Sequence, residues 1–339
     1  MDLTAYLEEA YKLHREIGVI DSHCDTVGLF ENKKIGYNFN LWNEIGHLDL
    51  PRMEAGGVKV QFFAVYIEPE NKPHTSLHRT LQLIDTYYET LKGLEERIVP
   101  VTDFGTLKQV LEGQKIASIL AIEGGEAIET DLRLLRMLYR LGVRSFGLTW
   151  NQRNQIADGI DERESGGGLT RFGFSVIREL NKLGMLIDLA HLSEAGFWDV
   201  LETSADPVIV SHANAYTICN HPRNLKDQQL KALAEAGGVI GLSVYEDFIK
   251  ESNADLDSLA DHFAHIASLI GVEHIGIGSD FDGIDRPVKG LEDVTKLPNL
   301  TAALLKRGFS KADMKKILRD NYLQLFNKVL KRGKDPSFN

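Results

Sequence analysis

A repeated change of rhythm narrows the folds open to this chain more than anything else in it. Short β-rich runs give way, again and again, to longer stretches of helical period. Eight runs read as strands, at 18–22, 58–67, 116–122, 145–149, 185–189, 208–211, 239–244 and 274–278. Amphipathic stretches lie between them, among them 76–94, 130–141, 172–183, 192–202 and 256–270. Such alternation implies parallel strands joined by helical crossovers. Eight units favour a closed (β/α)8 TIM-type barrel, with a doubly wound open sheet as the alternative, since periodicity does not show closure. No repeat, linker or low-complexity tract interrupts residues 1–339. One catalytic domain is therefore expected, with 311–331 forming one or two helices packed on the outside. Two glycine-rich or polar loops follow strands, at 151–170 and 214–226, on the face where barrel active sites sit.

Bulk properties remove several partner classes. The net charge of −11 argues against nucleic acid, whose phosphates need a basic face. No run approaches the roughly 18 apolar residues of a membrane span, and no leader or lipid-anchor signal is read in the first residues or in the polar run 331–335. With only Cys24 and Cys219 there is no disulfide framework, so a cytoplasmic protein is expected. A small-molecule substrate is the expected partner, and a homodimer is compatible with the chain.

The strand ends carry the chemistry. In Asp21-Ser22-His23-Cys24-Asp25, directly after the first strand, residues two apart point to the same side. His23 and Asp25 can thus converge on one ion, while Cys24 points away and reads as packing. Alone, His-x-Asp is weak: a strand-end histidine and a capping aspartate explain it as well. Other strands end the same way, with Glu123, with Asp188 and His191, with His212, and with Asp280. All such ends meet at one mouth of a barrel. Burying them is costly unless they pair or hold a cation. Three imidazoles and two or three carboxylates suit zinc, with manganese, cobalt or iron as alternatives, and exceed one tetrahedral ion. Two divalent ions sharing a carboxylate are expected.

These segments resemble the renal (membrane) dipeptidase family of zinc peptidases, within the amidohydrolase-like barrels. The resemblance rests on Asp21 to Thr26, Ile122-Glu123-Gly124-Gly125, Leu186 to His191, Ser211-His212-Ala213-Asn214-Ala215, Pro222-Arg223-Asn224 and Gly278 to Gly283, in order along the chain. It implies that His23 and Asp25 hold one zinc, that Glu123 bridges, and that His191 and His212 complete the second. It further implies that Arg223 binds the substrate carboxylate and that Asp280 is the acid/base. In one respect the chain departs from the family. Mammalian members have a substrate-contacting histidine after the Leu-Thr of the fourth strand, where this chain has Trp150 and Asn151. Trp150, Asn151 and Asn154 are candidates for that role; the other reading is that Trp150 only caps the core.

The expected activity is hydrolysis of small dipeptides by a hydroxide bridging the metals, with Asp280 shuttling the proton. No Gly-x-Ser-x-Gly elbow offers a serine route. An amidohydrolase-like enzyme acting on an N-acyl amino acid, β-lactam or cyclic amide is the alternative. A silent metal-dependent structural or binding protein is the reading of a different class, and the intact ligand set weighs against it. His14, His47, His74, His78, His262 and His265 read as solvated or capping, 161–164 as a solvated loop. His221 lines the site or shapes its loop, and Asp282 supports the site or caps the next turn.

Overall fold

The computed structural model describes residues 3–31 and 35–330; Met1, Asp2 and the run 331–335 lie outside these. Nine strands occur among the described residues: β1 Val19–Asp21, β2 Val58–Tyr66, β3 Ile98–Pro100, β4 Ile116–Glu123, β5 Val143–Gly147, β6 Leu186–Asp188, β7 Ile209–Ala213, β8 Val239–Leu242 and β9 Ile275–Ile277. Eight fall within two residues of the expected bounds. The sheet runs β2-β1-β9-β8-β7-β6-β5-β4 and closes through β2–β4, an eight-stranded parallel barrel of the (β/α)8 type. The ninth strand, β3, is an addition alongside β4, where Ile98 pairs with Ile116.

By its contacts the chain forms two compact units, Met1–Phe62 with Ser211–Ala234 and Val239–Leu323, and Phe63–Val210 with Glu235–Gly238 and Gln324–Asn339. In the first, Asp21 pairs with Gln61 of β2 and Ile277 of β9, and Ile240 of β8 pairs with Ile275. In the second, β4 pairs with β5, β5 with β6, and Asp188 with Ile209. Strands β2 and β7 run through both units. Every residue of β4 is buried, as a strand covered on both faces requires, and its apolar run Ile116 to Ile122 is the sequence signature of that burial.

The amphipathic stretches fold as helices at Ser76–Leu91, Leu132–Arg140, Arg171–Leu183, Glu194–Thr203 and Leu256–Ile270. The last four of these starts are fixed by side chains that accept from orphan backbone amides, Asp131, Thr170, Ser193 and Asp255 in turn. The helix Thr4–Ile17 is an unexpected element. Only Ala10, Leu13 and His14 are buried along it, too narrow a stripe to stand out as a period.

The C-terminal segment corrects one expectation. Lys311–Lys315, a π-turn at Lys316–Asp320 and Asn321–Val329 do not simply coat the outside. Tyr322 is fully buried; its hydroxyl donates to Ile277 O (2.9 Å) and meets Ser22 Oγ (2.7 Å), which in turn donates to Ser211 O. This explains Gly276, where a Cβ would run into the Tyr322 ring.

Candidate active site

In the first unit, four expected residues come together beyond β1, β7 and β9. His23 Nε2 lies 3.2 Å from Asp25 Oδ2 and 3.9 Å from Asp280 Oδ1, and its ring centroid is 3.9 Å from that of His212. His23, His212 and Asp280 each place one ligand atom within 4.8 Å of the others. All are buried or nearly so.

Their placement is built from below by a residue the sequence reading left without a role. Asp21 is wholly buried and accepts from Ser279 N (2.8 Å), Ser279 Oγ (2.6 Å) and Gln61 Nε2 (3.1 Å). That clamp ties the end of β1 to the residue before Asp280. Asp280 N then donates to His23 O (3.2 Å). Asp280 takes φ +67° and His191 of the other unit +66°, a left-handed backbone that costs a non-glycine about 1–3 kcal/mol and recurs at functional sites. Gly283 has no side chain for a direct reason: a Cβ there would strike the carboxylates of Asp25 and Asp280. His212 Nδ1 lies 2.9 Å from Ser211 Oγ, which fixes the ring's rotation.

The electrostatics point to a cation. Burial pushes the Asp280 carboxyl up to about 7; His23 and Arg223 oppose the shift, and Asp25 adds to it. Asp25 Oδ1 is buried with no hydrogen-bond partner. A buried acceptor without a donor, beside two imidazoles and a second carboxylate, is a set that a hard or borderline divalent ion satisfies.

Arg223 sits on the loop after β7. Its guanidinium lies over the Phe248 ring (5.4 Å) and donates from Nη2 to His212 O (3.3 Å). The His221 ring stacks on Phe248 (4.6 Å) and its Nδ1 accepts from Arg223 N, so it shapes the loop. Asp282 does likewise, accepting from Thr26 Oγ1 (2.6 Å) and His47 N (2.5 Å). Cys24 donates to Phe62 O and is buried, as expected of packing.

In the second unit, Glu123 ends β4 and lies 2.8 Å from His191 Nε2 through Oε1. On the other side of that ring, His191 Nδ1–H donates to Asn151 Oδ1 (2.6 Å). The carboxamide oxygen of Asn151 thus meets an imidazole. Trp150 lies with its ring 5.8 Å from His191 and 5.2 Å from Tyr66. Asn154 is engaged in the turn itself, donating to Leu148 O (2.8 Å) and accepting from Ile156 N (2.8 Å).

Three histidines expected to be solvated or capping differ. His14 and His262 are buried and His47 pairs with Asp282. His14 meets Gly56 O and Thr301 Oγ1, and His262 meets Ala215 N and Ile249 O. They satisfy backbone groups under the helices, where a shorter side chain would not reach.

Comparison with known proteins shows what the whole chain is similar to. The model of the family described as membrane dipeptidase (peptidase family M19) matches residues 7–335. An uncharacterised dipeptidase of Schizosaccharomyces pombe is 36% identical over 91% of this chain and 80% of its own length. The solved structure of dipeptidase AC, a metallo peptidase of family M19, superposes with a TM-score of 0.87 at 29% identity, covering 93% of this chain and 99% of the other. A metallo peptidase of Rhodobacter sphaeroides, bound to a phosphinate mimic of the dipeptide L-Ala-D-Ala, gives 0.86 at 28% identity, over 92% and 99%.

Proposed function

The chain belongs to the membrane dipeptidase family, peptidase family M19, and from that premise we propose how its own residues carry out the metal-dependent hydrolysis of dipeptides that defines it. Two divalent ions, zinc first among them, would be held by His23, Asp25, Glu123, His191 and His212, with Glu123 placed to serve both. The observation that carries this reading is the meeting of His23, His212 and Asp280, with Asp25 beside His23 and its Oδ1 a buried acceptor that no protein donor satisfies. When bound, such ions supply Lewis acidity and make water acidic enough to act near neutral pH.

The protein's part is to place and to move protons. Arg223, its plane set by Phe248, offers a two-pronged donor to the free C-terminal carboxylate. Asp280 takes the proton of the attacking water at a carboxylate oxygen and passes it to the leaving amine. The clamp from Asp21 through Ser279 holds Asp280 to that task. Asn151 keeps the proton of His191 on Nδ1, leaving Nε2 to face its carboxylate and an ion. Trp150 is then a wall of the substrate site. The chain acts as one catalytic domain, a reading supported by β2 and β7 running through both compact units. Its two cysteines are both free thiols, in keeping with a cytoplasmic setting. No helix among the described residues is long and apolar enough to cross a membrane.

A panel tests the assignment: Ala-Ala, L-Ala-D-Ala, N-acetyl-alanine and a β-lactam, each with and without chelator. Dipeptide turnover that chelation removes and zinc restores is the expected result. Turnover confined to the acylated or cyclic amides would replace the dipeptidase reading with the broader amidohydrolase one.

A further inference from the structure

Three buried oxygens of the first unit stand in a row: the hydroxyl of Tyr322, the hydroxyl of Ser22 and the carbonyl of Ser211. Ser22 Oγ has one proton, and the nearer of its two acceptors is Ser211 O, at 2.7 Å against 3.1 Å for Ile277 O. The 2.7 Å contact between the two hydroxyls therefore takes the proton of Tyr322, which Ile277 O (2.9 Å) shares. The result is a relay from Tyr322 through Ser22 to Ser211 O. Two glycines keep its path open. A Cβ on Gly241 of β8, or on Gly278 just after β9, would strike Ser211 O.

Each serine of the relay adjoins a proposed ligand. Ser22 precedes His23 and Ser211 precedes His212, and the two imidazoles lie 3.9 Å apart, centroid to centroid. Their strands are not neighbours: β9 and β8 stand between β1 and β7, and β1 meets β9 at a single paired position, Asp21 with Ile277. The Ser22 hydroxyl spans directly what the sheet links only through two other strands. By holding Ser211 O it sets the plane of the Ser211–His212 peptide, and with it the direction in which His212 leaves the backbone. Tyr322 is a firm anchor for this, because the turn that carries it is bonded where β1 and β9 begin. Arg319 Nη1 donates to Ile17 O (2.9 Å), and Asn321 Nδ2 donates to Val272 O and Ile275 O (2.7 Å each). Taking the metal reading as given, we propose that Tyr322 is a positioning residue of the metal centre. Through Ser22 its hydroxyl sets the spacing of His23 and His212, and so the affinity for the ions they would hold.

Tyr322→Phe removes the hydroxyl alone. It keeps the ring that fills the space beside Gly276, and Ile277 O still accepts from Ser22 N (3.0 Å). Zinc affinity, measured by competition with a chelating dye, should fall by about tenfold, the lower end of what outer partners of metal ligands are worth. The visible absorption bands of the cobalt-substituted protein, which report ligand geometry, should shift. Ser22→Ala should do the same, and the double variant should be no weaker than the weaker single one, since both break one relay. Leu318→Ala opens a hole in the same buried turn and serves as the control for lost stability. It should lower Tm while leaving zinc affinity and the cobalt bands in place. Wild-type affinity and bands in Tyr322→Phe would overturn the proposal, as would losses that add in the double variant or an equal loss of affinity in Leu318→Ala. Should Tyr322→Phe fail to fold, Ser22→Ala set against Leu318→Ala carries the same test. A wild-type chain that binds no zinc would instead remove the metal reading beneath it.

Discussion

His23 and His212 at the strand ends, and His14 and His262 in the helical layer, are almost equally hidden from water. Their neighbours differ. The rings of His14 and His262 meet carbonyls, a hydroxyl and an amide, and with no carboxylate nearby burial drives both down to about 4. They are neutral struts. His23 faces Asp25 and Asp280, and His212 stacks on His23. Burial alone therefore separates nothing among these histidines; the charge of what each ring meets separates strut from ligand.

The largest effect that sharpens this contrast is acid sensitivity. The unfolded chain protonates His14 and His262 near 6.5, whereas the folded chain resists until about 4. The stability they permit is complete above about pH 6.5 and is lost as pH falls toward 4, by about 3 kcal/mol for each ring. Urea unfolding between about pH 7.5 and 4.5 should show that slope, and His262→Gln should flatten it. An unchanged slope would mean that the ring is already protonated in the fold.

A site aspartate should behave in the opposite manner, sparing stability and taking activity. Asp280→Asn keeps size and hydrogen bonding but loses the basic oxygen. Its kcat should fall by about 10²-fold or more with KM little changed and metal retained. Metal loss repaired by added zinc would make Asp280 a ligand; near-normal turnover would place proton transfer elsewhere.

A smaller effect concerns Arg223. Arg223→Ala should lower kcat/KM sharply on free dipeptides and far less on C-terminally amidated ones, with metal content intact. Arg223→Lys should recover only part, because a point charge lacks the planar fork. Equal losses on both substrate types would remove Arg223 from the carboxylate.

Much of this was legible in the sequence, for a definite reason. Barrel strands are buried on both faces, so a His, Asp or Glu at the end of an apolar run such as Ile119 to Ile122 is conspicuous. Glu123, His191, His212 and Asp280 stood out that way, and period two linked His23 with Asp25. What stayed hidden depends on distant partners. Asp21 shares the parity of His23 and Asp25, yet it accepts from Ser279, 258 positions away, and nothing local distinguishes clamp from ligand. Asn151 turns to His191, 40 positions on. The strand Ile98–Pro100 has three residues and ends in proline, below the length at which alternation can be read.

The central claim is that histidines facing carboxylates at these strand ends hold two cations through one shared residue, and metal content measures it most directly. Reconstituted wild-type protein should hold about two divalent ions per chain, and Glu123→Ala, having lost the bridge, should hold well under that at both sites. Active wild-type enzyme with a single ion, or Glu123→Ala with the full wild-type complement, would contradict it.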